Sequence, residues 1–334
     1  MSHQPEPKRL RRRLLSSWPS SALIRQGLRR RPPVHGELLV AMFHQVLDAR
    51  RFASQLDAVL EDGTPVSGSE VVAAIQGGAC LPTGAVWLTF DDAYGDFAES
   101  AIQVLEERGL RATQFVPTSF VGANPASFWW ERLSAAFAQT ALRSTVHLDY
   151  EGGALAVSLR TPGARGKAYK LARGHVKRTE HGAAMELVER WIQKLGAEPR
   201  VTTRVLSWEE LAALESRGVE VGGHTRTHPM LDRVDREVAQ SEIQGGFDDL
   251  QLRLGRPLPA FAYPSGQFNP GVVDALRALG IPAAVTTVEG TYRLGVDSPL
   301  EIPRVAIGPH ADEWAVRARV LLARRRRPAR TAQG

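Results

Sequence analysis

Two adjacent carboxylates, Asp91 and Asp92, end an uncharged run over 85–90, and two histidines, His224 and His228, stand four residues apart just after Gly222 and Gly223. Along a strand, neighbouring side chains point to opposite faces, so consecutive carboxylates converge on one site only where the chain leaves a sheet and turns. The residues from Ala93 to Gly95 supply that turn. Histidines at i and i+4 fall on one face of a helical turn and can share a metal. Two neutral imidazoles with one carboxylate leave positions open to water and substrate, as a catalytic ion requires and a structural one does not. Alone, Asp-Asp reads as a surface loop with a helix cap and H-x3-H as a solvated pair. Their joint occurrence at strand ends is what points to chemistry.

The elements that must position these groups alternate. Strands are predicted over 37–43, 85–90, 112–117, 219–222, 260–263, 283–287 and 302–307. Helical spacing marks 50–61, 68–77, 97–108, 235–254 and 270–279, and Ser207 with Glu210 forms a capping box for a helix ending near Ser216. Seven strands separated mostly by helices imply an α/β fold with a parallel sheet, closed or nearly closed as a barrel rather than doubly wound. In such a barrel the site lies at the C-terminal ends of the strands, where His44, Asp91, Asp92, His224 and the pair Pro264-Ser265 all fall. From 122 to 203 the alternation breaks down. A helix ending near Gln139, β-like stretches at 147–150 and 154–159, a Gly/Lys/Arg-rich loop and a helix over 183–195 read as an insertion over one face of the barrel. The expected organisation is a basic tail over 1–36, a barrel over 37–121 and 204–312, the insertion over 122–203, and a second basic tail over 313–334.

The 334 residues carry a formal charge of +6, concentrated between Lys8 and Arg13, Arg25 and Arg31, and Arg317 and Arg330. Cys80 is the single cysteine, which excludes an intramolecular disulfide and gives no support for a thiolate metal site. No stretch reaches the length of a membrane span, and no secretory signal is expected. The segment 8–31 mixes Trp18 and Ile24 with arginines, compatible with a solvated tail or with a basic helix on an anionic membrane surface. No nucleic-acid module accompanies the basic ends, so no nucleic-acid partner is expected. Together these features lead us to expect a cytoplasmic protein, at the inner face of the membrane if the basic helix forms.

Thr89-Phe-Asp-Asp-Ala93 and His224-Thr-Arg-Thr-His228 resemble the T-F-D-D-G and H-[ST]-x-x-H motifs of the polysaccharide deacetylase family, the NodB-homology carbohydrate esterases. Pro264-Ser265-Gly266 matches the third motif less completely. The resemblance covers about 37–121 and 204–307, with the insertion and both tails outside it. It implies a distorted (β/α)7 barrel and a metal-dependent hydrolase that removes N-acetyl groups from a carbohydrate, a cell-surface glycan or its precursor. It also implies a divalent metal, commonly zinc, on Asp92, His224 and His228, with Asp91 as general base and the Ser265 amide as oxyanion donor. An O-acetyl esterase or other amide hydrolase would use the same site, and an inactive glycan-binding barrel is the reading from outside enzymology.

Three departures from the family pattern bear on the site. The late Leu-x-Ile-His motif reads Leu300-Glu-Ile-Pro-Arg304, without its histidine. Met42-Phe-His44-Gln-Val46 resembles instead the Y-H-x-V strand end of poly-N-acetylglucosamine deacetylases, which makes His44 the candidate acid and His310 the reserve. The motif-three arginine aligns with Ala262, and Arg304 is expected to reach Asp91 in its place. Ala93 replaces the motif glycine, so the turn is expected to use ordinary backbone angles or to narrow the pocket. Trp129, Trp130 and Glu131 could wall the mouth, the tryptophans stacking on sugar or anchoring the insertion. Tyr94 and Tyr263 join the two tryptophans as candidate substrate contacts.

Overall fold

The computed structural model describes residues 34–126 and 128–325; the segment 8–31, with its two readings, lies outside them. Every residue of β1 (Glu37–Phe43) and β3 (Ala85–Asp91) is buried, as parallel strands covered on both faces must be. With β4 (Ala112–Val116), β7 (Val219–Gly223), β8 (Leu258–Ala262) and β9 (Ala283–Val285) they form one curled sheet in the order β1-β3-β4-β7-β8-β9, parallel throughout. The segment 302–306 closes the ring. Ile302 bridges Val285 in parallel, and β10 (Val305–Ala306) pairs in parallel with β1. That gives seven strands around a distorted (β/α)7 barrel.

Strand alternation sorts the core. Leu38, Val40, Ala85, Trp87, Phe115, Ala260, Ala262, Val285 and Ile302 meet inside the barrel. Their neighbours Leu39, Phe43, Leu88 and Phe90 face outward against Phe52 and Leu56 of α1 (Ala49–Leu60) and against Phe97 and Leu105. The short strand β2 (Thr64–Val66) leads into α2 (Gly68–Ile75), whose Val71, Val72 and Ala74 belong to the interior cluster. This helix closes one end of the barrel. The Glu220 carboxylate, on β7, accepts from the Gly68 and Ser69 N–H groups at 2.7 and 3.0 Å, placing a negative charge at the positive end of the α2 dipole.

Three elements differ from expectation. The first turn of the 97–108 helix is π-helical over Phe97–Ala101, before α3 (Ile102–Glu107). The Gly/Lys/Arg-rich stretch expected to be a loop is a helix, α5 (Pro162–Val176). Thr161 caps it with proline at its start, and its buried Ala168, Ala172 and Val176 pack against the rest of the segment. Packing of that face outweighs three interior glycines. The C-terminal stretch expected to be a basic tail from 313 forms α10 (Glu313–Arg325). Val316, Val320 and Ala323 join the outer core, and the Arg317 Nε donates to Glu61 at 2.8 Å. The charge pattern concealed this apolar stripe.

Between β4 and β7, the helix α4 (Trp129–Gln139), the hairpin β5 (Thr145–Tyr150) and β6 (Gly153–Ser158), α5 and α6 (His181–Lys194) share a hydrophobic cluster of their own, centred on Leu133, Phe137, Leu148 and Trp191. The helix α7 (Trp208–Glu215), with its capping box, returns the chain to the barrel. After β7 and β8 come α8 (Arg236–Leu254) and α9 (Pro270–Ala278), which bury Phe261, Tyr263 and Ala284 on the outer face. None of the described helices is long and apolar enough to cross a membrane.

Candidate active site

The end of β3 separates two carboxylates by backbone alone. Asp91 keeps the inward parity of Trp87 and Thr89, and there it meets Arg304 from the closing segment. The guanidinium forks onto it, Nη1 to Oδ1 at 2.8 Å and Nη2 to Oδ2 at 2.7 Å, while Nε donates to the Thr286 carbonyl at 2.7 Å. Arg304 is fully buried. Burial alone would raise the Asp91 carboxyl, but the attached guanidinium overrides it and holds the group below the usual carboxylate range.

Asp92 and Ala93 then take positive φ, 72° and 51°. The alanine therefore reaches the left-handed region that the expectation of ordinary angles denied it. Its carbonyl accepts from Leu206 N–H at 2.8 Å and Gly95 N–H donates to the Arg204 carbonyl at 2.8 Å, so the 204–206 segment holds the turn in that conformation. This turn swings the Asp92 carboxylate into the same cavity as Asp91.

The histidines reach Asp92 from the other side. A Cβ on Gly222 would meet the Phe115 ring and the Ala260 carbonyl at 2.8–2.9 Å, and one on Gly223 would meet the Phe247 ring at 2.7 Å, so only glycines let β7 run this close before His224. The His224 and His228 Nε2 atoms each lie 3.4 Å from the Asp92 Oδ1. The helical turn predicted for this pair is absent. Thr225 and His228 have φ of 66° and 58°, and the Thr225 hydroxyl donates to the His224 carbonyl and accepts the His228 N–H at 3.0 Å. From α8, Glu242 accepts the Arg226 and Thr227 N–H groups at 3.0 and 2.8 Å, which fixes the loop from outside.

Asp92, His224 and His228 could hold a cation, and their chemistry fits one. The Asp92 Oδ1 and the His228 Nδ1 are buried without a hydrogen-bond partner, and the three ligand atoms lie within 4.8 Å of one another. The His224 Nδ1 lies 2.6 Å from the Ala262 carbonyl, which fixes that nitrogen as the donor and leaves Nε2 free to ligate. Burial pushes the His228 imidazole down to about 3, keeping it neutral, and the imidazoles outweigh burial to lower the Asp92 carboxyl.

Around this floor lies a cavity of about 430 Å3. His44, 43% exposed, places Nε2 3.9 Å from one oxygen of each carboxylate. Ser265 lines the cavity from a short turn, Pro264–Gly266, with φ of 57°. All five non-glycine residues with positive φ among those described belong to these three loops. At about 1–2 kcal/mol each, such conformations are held only where the surroundings over-determine them.

The opposite wall comes from the segment between β4 and β7. Tyr94 donates to Glu131 at 2.9 Å and accepts from the Trp130 Nε1 at 2.9 Å. Burial raises both the Tyr94 phenol and the Glu131 carboxyl. The Trp130 ring stacks on Phe128 at 4.4 Å and stands 4.5 Å from the His228 ring. Trp129 is buried among the helices while also lining the cavity. Tyr263 does not reach the site. It has the outward parity of Phe261, is fully buried, and donates to the Leu300 carbonyl at 2.8 Å. His310 is exposed and lines no part of the cavity.

Sequence reasoning missed Tyr169, Arg173 and Lys177, which line the cavity from α5 and just beyond its end, and also Gln45 and Thr287. Reading the Gly/Lys/Arg-rich stretch between 159 and 183 as a loop hid the signal, since 169, 173 and 177 are spaced as one helical stripe. Burial and the neighbouring Arg173 push the Lys177 ammonium down to about 8.

Comparison with known proteins agrees with this geometry. No curated protein matches the chain significantly. Among solved structures, the Streptococcus pyogenes deacetylase PplD, in complex with acetate, is 19% identical; the match covers 86% of this chain and 99% of that one, with a TM-score of 0.55. IcaB from Ammonifex degensii is 20% identical over 86% and 97%, with a TM-score of 0.56. The BpsB deacetylase domain from Bordetella bronchiseptica is 13% identical over 83% and 98%, with a TM-score of 0.53. At these identities they establish the fold alone. The polysaccharide deacetylase family model matches 78–150 and 169–284, so most of the segment expected to lie outside the family pattern falls within it. Because that match spans more than half of the chain and takes in both the carboxylate turn and the histidine loop, the protein belongs to the polysaccharide deacetylase family, hydrolases of carbon–nitrogen bonds other than peptide bonds.

Proposed function

We propose that this protein removes N-acetyl groups from an amino sugar with the help of a divalent cation, zinc being the ion best suited to two imidazoles and a carboxylate. One observation carries the reading: of two adjacent carboxylates, Asp91 is clamped by Arg304 and Asp92 faces two imidazoles. The first is thereby kept charged and withheld from coordination. A cation held by Asp92, His224 and His228 would acidify water and polarise a carbonyl.

The chain's own groups divide the rest of the work. Asp91 accepts a proton as the water oxygen bonds to the acetyl carbon. The Ser265 N–H donates to the oxyanion that develops on the acetyl oxygen. His44, beside both carboxylates and open to solvent, gives a proton to the sugar nitrogen as the carbon–nitrogen bond breaks, leaving acetate and a free amine. The barrel supplies the reacting groups, and the tryptophan wall supplies apolar faces on which a pyranose ring can stack.

Acetate release from N-acetylglucosamine oligomers and from O-acetylated xylan tests this. The metal-loaded protein is compared with chelator-treated protein and with Asp91→Asn. Release from the N-acetyl oligomers is expected to stop on chelation and to fall about 100- to 10,000-fold in the variant. Release indifferent to both treatments would overturn the assignment, and release from xylan alone would move it to an ester.

A further inference from the structure

The charges lining the cavity are answered unevenly. Asp91 has Arg304, Asp92 has two imidazoles, and Glu131 has the Tyr94 hydroxyl. Arg173 and Lys177, one turn apart, form no ion pair or hydrogen bond with a carboxylate among the described residues, and Lys177 feels only the more distant charge of Asp92. The Arg173 guanidinium lies 5.7 Å from the Tyr169 ring, and Lys177 is half-buried. Drawing an ammonium partly out of water without an anion is unfavourable, and a ligand that brings the anion reverses that. A divalent cation on Asp92 would leave these two side chains as the uncompensated positive charge of the wall. The pair is also chemically suited to such a ligand, since a guanidinium matches the planar fork of a carboxylate or the oxygens of a phosphate and an ammonium adds a point charge.

We propose that Arg173 and Lys177 form a subsite for an anionic group, a phosphate or a carboxylate, borne by the acetylated sugar or by the residue next to it. The preferred substrate of this enzyme is then an acidic glycan or a sugar phosphate, and neutral chitin-type oligomers are turned over less efficiently. This inference rests on the deacetylase reading of the floor, and its test separates the two.

Metal-loaded full-length protein is titrated calorimetrically with N-acetylglucosamine 1-phosphate, with a disaccharide pairing a uronic acid with an N-acetylated sugar, and with neutral di-N-acetylchitobiose. Acetate release is followed on all three. The better of the two acidic probes is expected to bind at least about tenfold more tightly than the neutral one, and whichever gains more identifies the anion. That preference should weaken as salt rises, collapse in Arg173→Gln/Lys177→Met and survive in Lys177→Arg. Equal affinity for acidic and neutral probes in the wild type would overturn the subsite. So would a preference retained in the double variant, which would put the anion on the cation itself. Silence in acetate release from all three probes tells against the deacetylase reading, and the binding comparison still decides the subsite.

Discussion

The floor and the wall of this cavity are built by opposite means. On the floor, Asp91, Asp92, His224, His228 and Arg304 are buried, bonded or facing one another, and carried on strand ends whose backbone is strained into positive φ at four positions. On the wall, Trp130, Glu131, Tyr169, Arg173 and Lys177 stand on or beside helices of regular geometry and are half-buried or exposed. The floor fixes distances among reacting groups, which helps only when reacting atoms are held to fractions of an ångström. The wall presents surface and charge, which selects what enters. Substitutions on the floor should therefore cost stability and turnover together, whereas those on the wall should cost affinity.

Arg304→Met gives the largest expected separation. It leaves the Asp91 carboxylate buried and unpaired, a loss of about 3–5 kcal/mol by urea unfolding at neutral pH. The sign with pH follows from the direction of the shift. Because Asp91 is held below its ordinary value of 3.8, the pair's stabilisation is complete above that value and is lost only as pH falls through the lower native value. The gap between wild type and variant should thus be widest at neutral pH and above and narrow as pH falls, first as the carboxyl that burial raises in the variant takes up its proton and then, in strong acid, as the wild-type pair is lost. Turnover should fall with bound metal unchanged, since Arg304 touches none of Asp92, His224 and His228. Loss of the metal along with turnover would break the division between base and ligands, making the floor a single unit.

Trp130→Phe probes the wall at smaller amplitude. The ring that stacks on Phe128 is kept in part, and the donor to the Tyr94 hydroxyl is lost. Because Tyr94 still donates to Glu131, the cost in thermal unfolding should be about 1 kcal/mol. KM should rise several-fold, with kcat within about threefold of wild type. A collapse of kcat with KM unchanged would assign the indole to the floor through its contact with His228.

The same division governs what the sequence discloses. The floor was legible because strand ends concentrate its residues into short strings: Asp91-Asp92, His224 to His228 and Pro264-Ser265 are each local. Arg304 was reachable only by asking which residue could replace a missing arginine, and the structure puts its guanidinium on Asp91. The fold class was legible for a similar reason, since buried parallel strands are near-continuous apolar runs. Tyr263 misled because one step along a strand exchanges the faces of the sheet, so its neighbour Ala262 faces the interior while the ring packs outward. The wall and the C-terminal helix were both obscured by composition. Glycines at 163, 166 and 174 made α5 look like a loop, and arginines at 317, 319 and 324–325 made α10 look like a tail. In both, the apolar stripe that decides helix formation in a folded protein is sparse and built largely of alanine and valine.

Ala93→Gly is the finest of these tests, and three effects of similar size compete in it. Releasing an alanine from φ of 51° returns about 1–2 kcal/mol. Against that, glycine loosens the unfolded chain by about 0.4–1 kcal/mol. Removing a fully buried methyl costs about 0.8 kcal/mol more. The expected net change in unfolding free energy is within about 1 kcal/mol of zero, with Asp92 still oriented because the 204–206 segment holds the turn by backbone hydrogen bonds that glycine keeps. Metal affinity should accordingly stay within about threefold of wild type. A loss of metal binding without a loss of stability would mean that the methyl group itself positions Asp92, and the strain in this loop would then belong to the chemistry of the floor rather than to its folding.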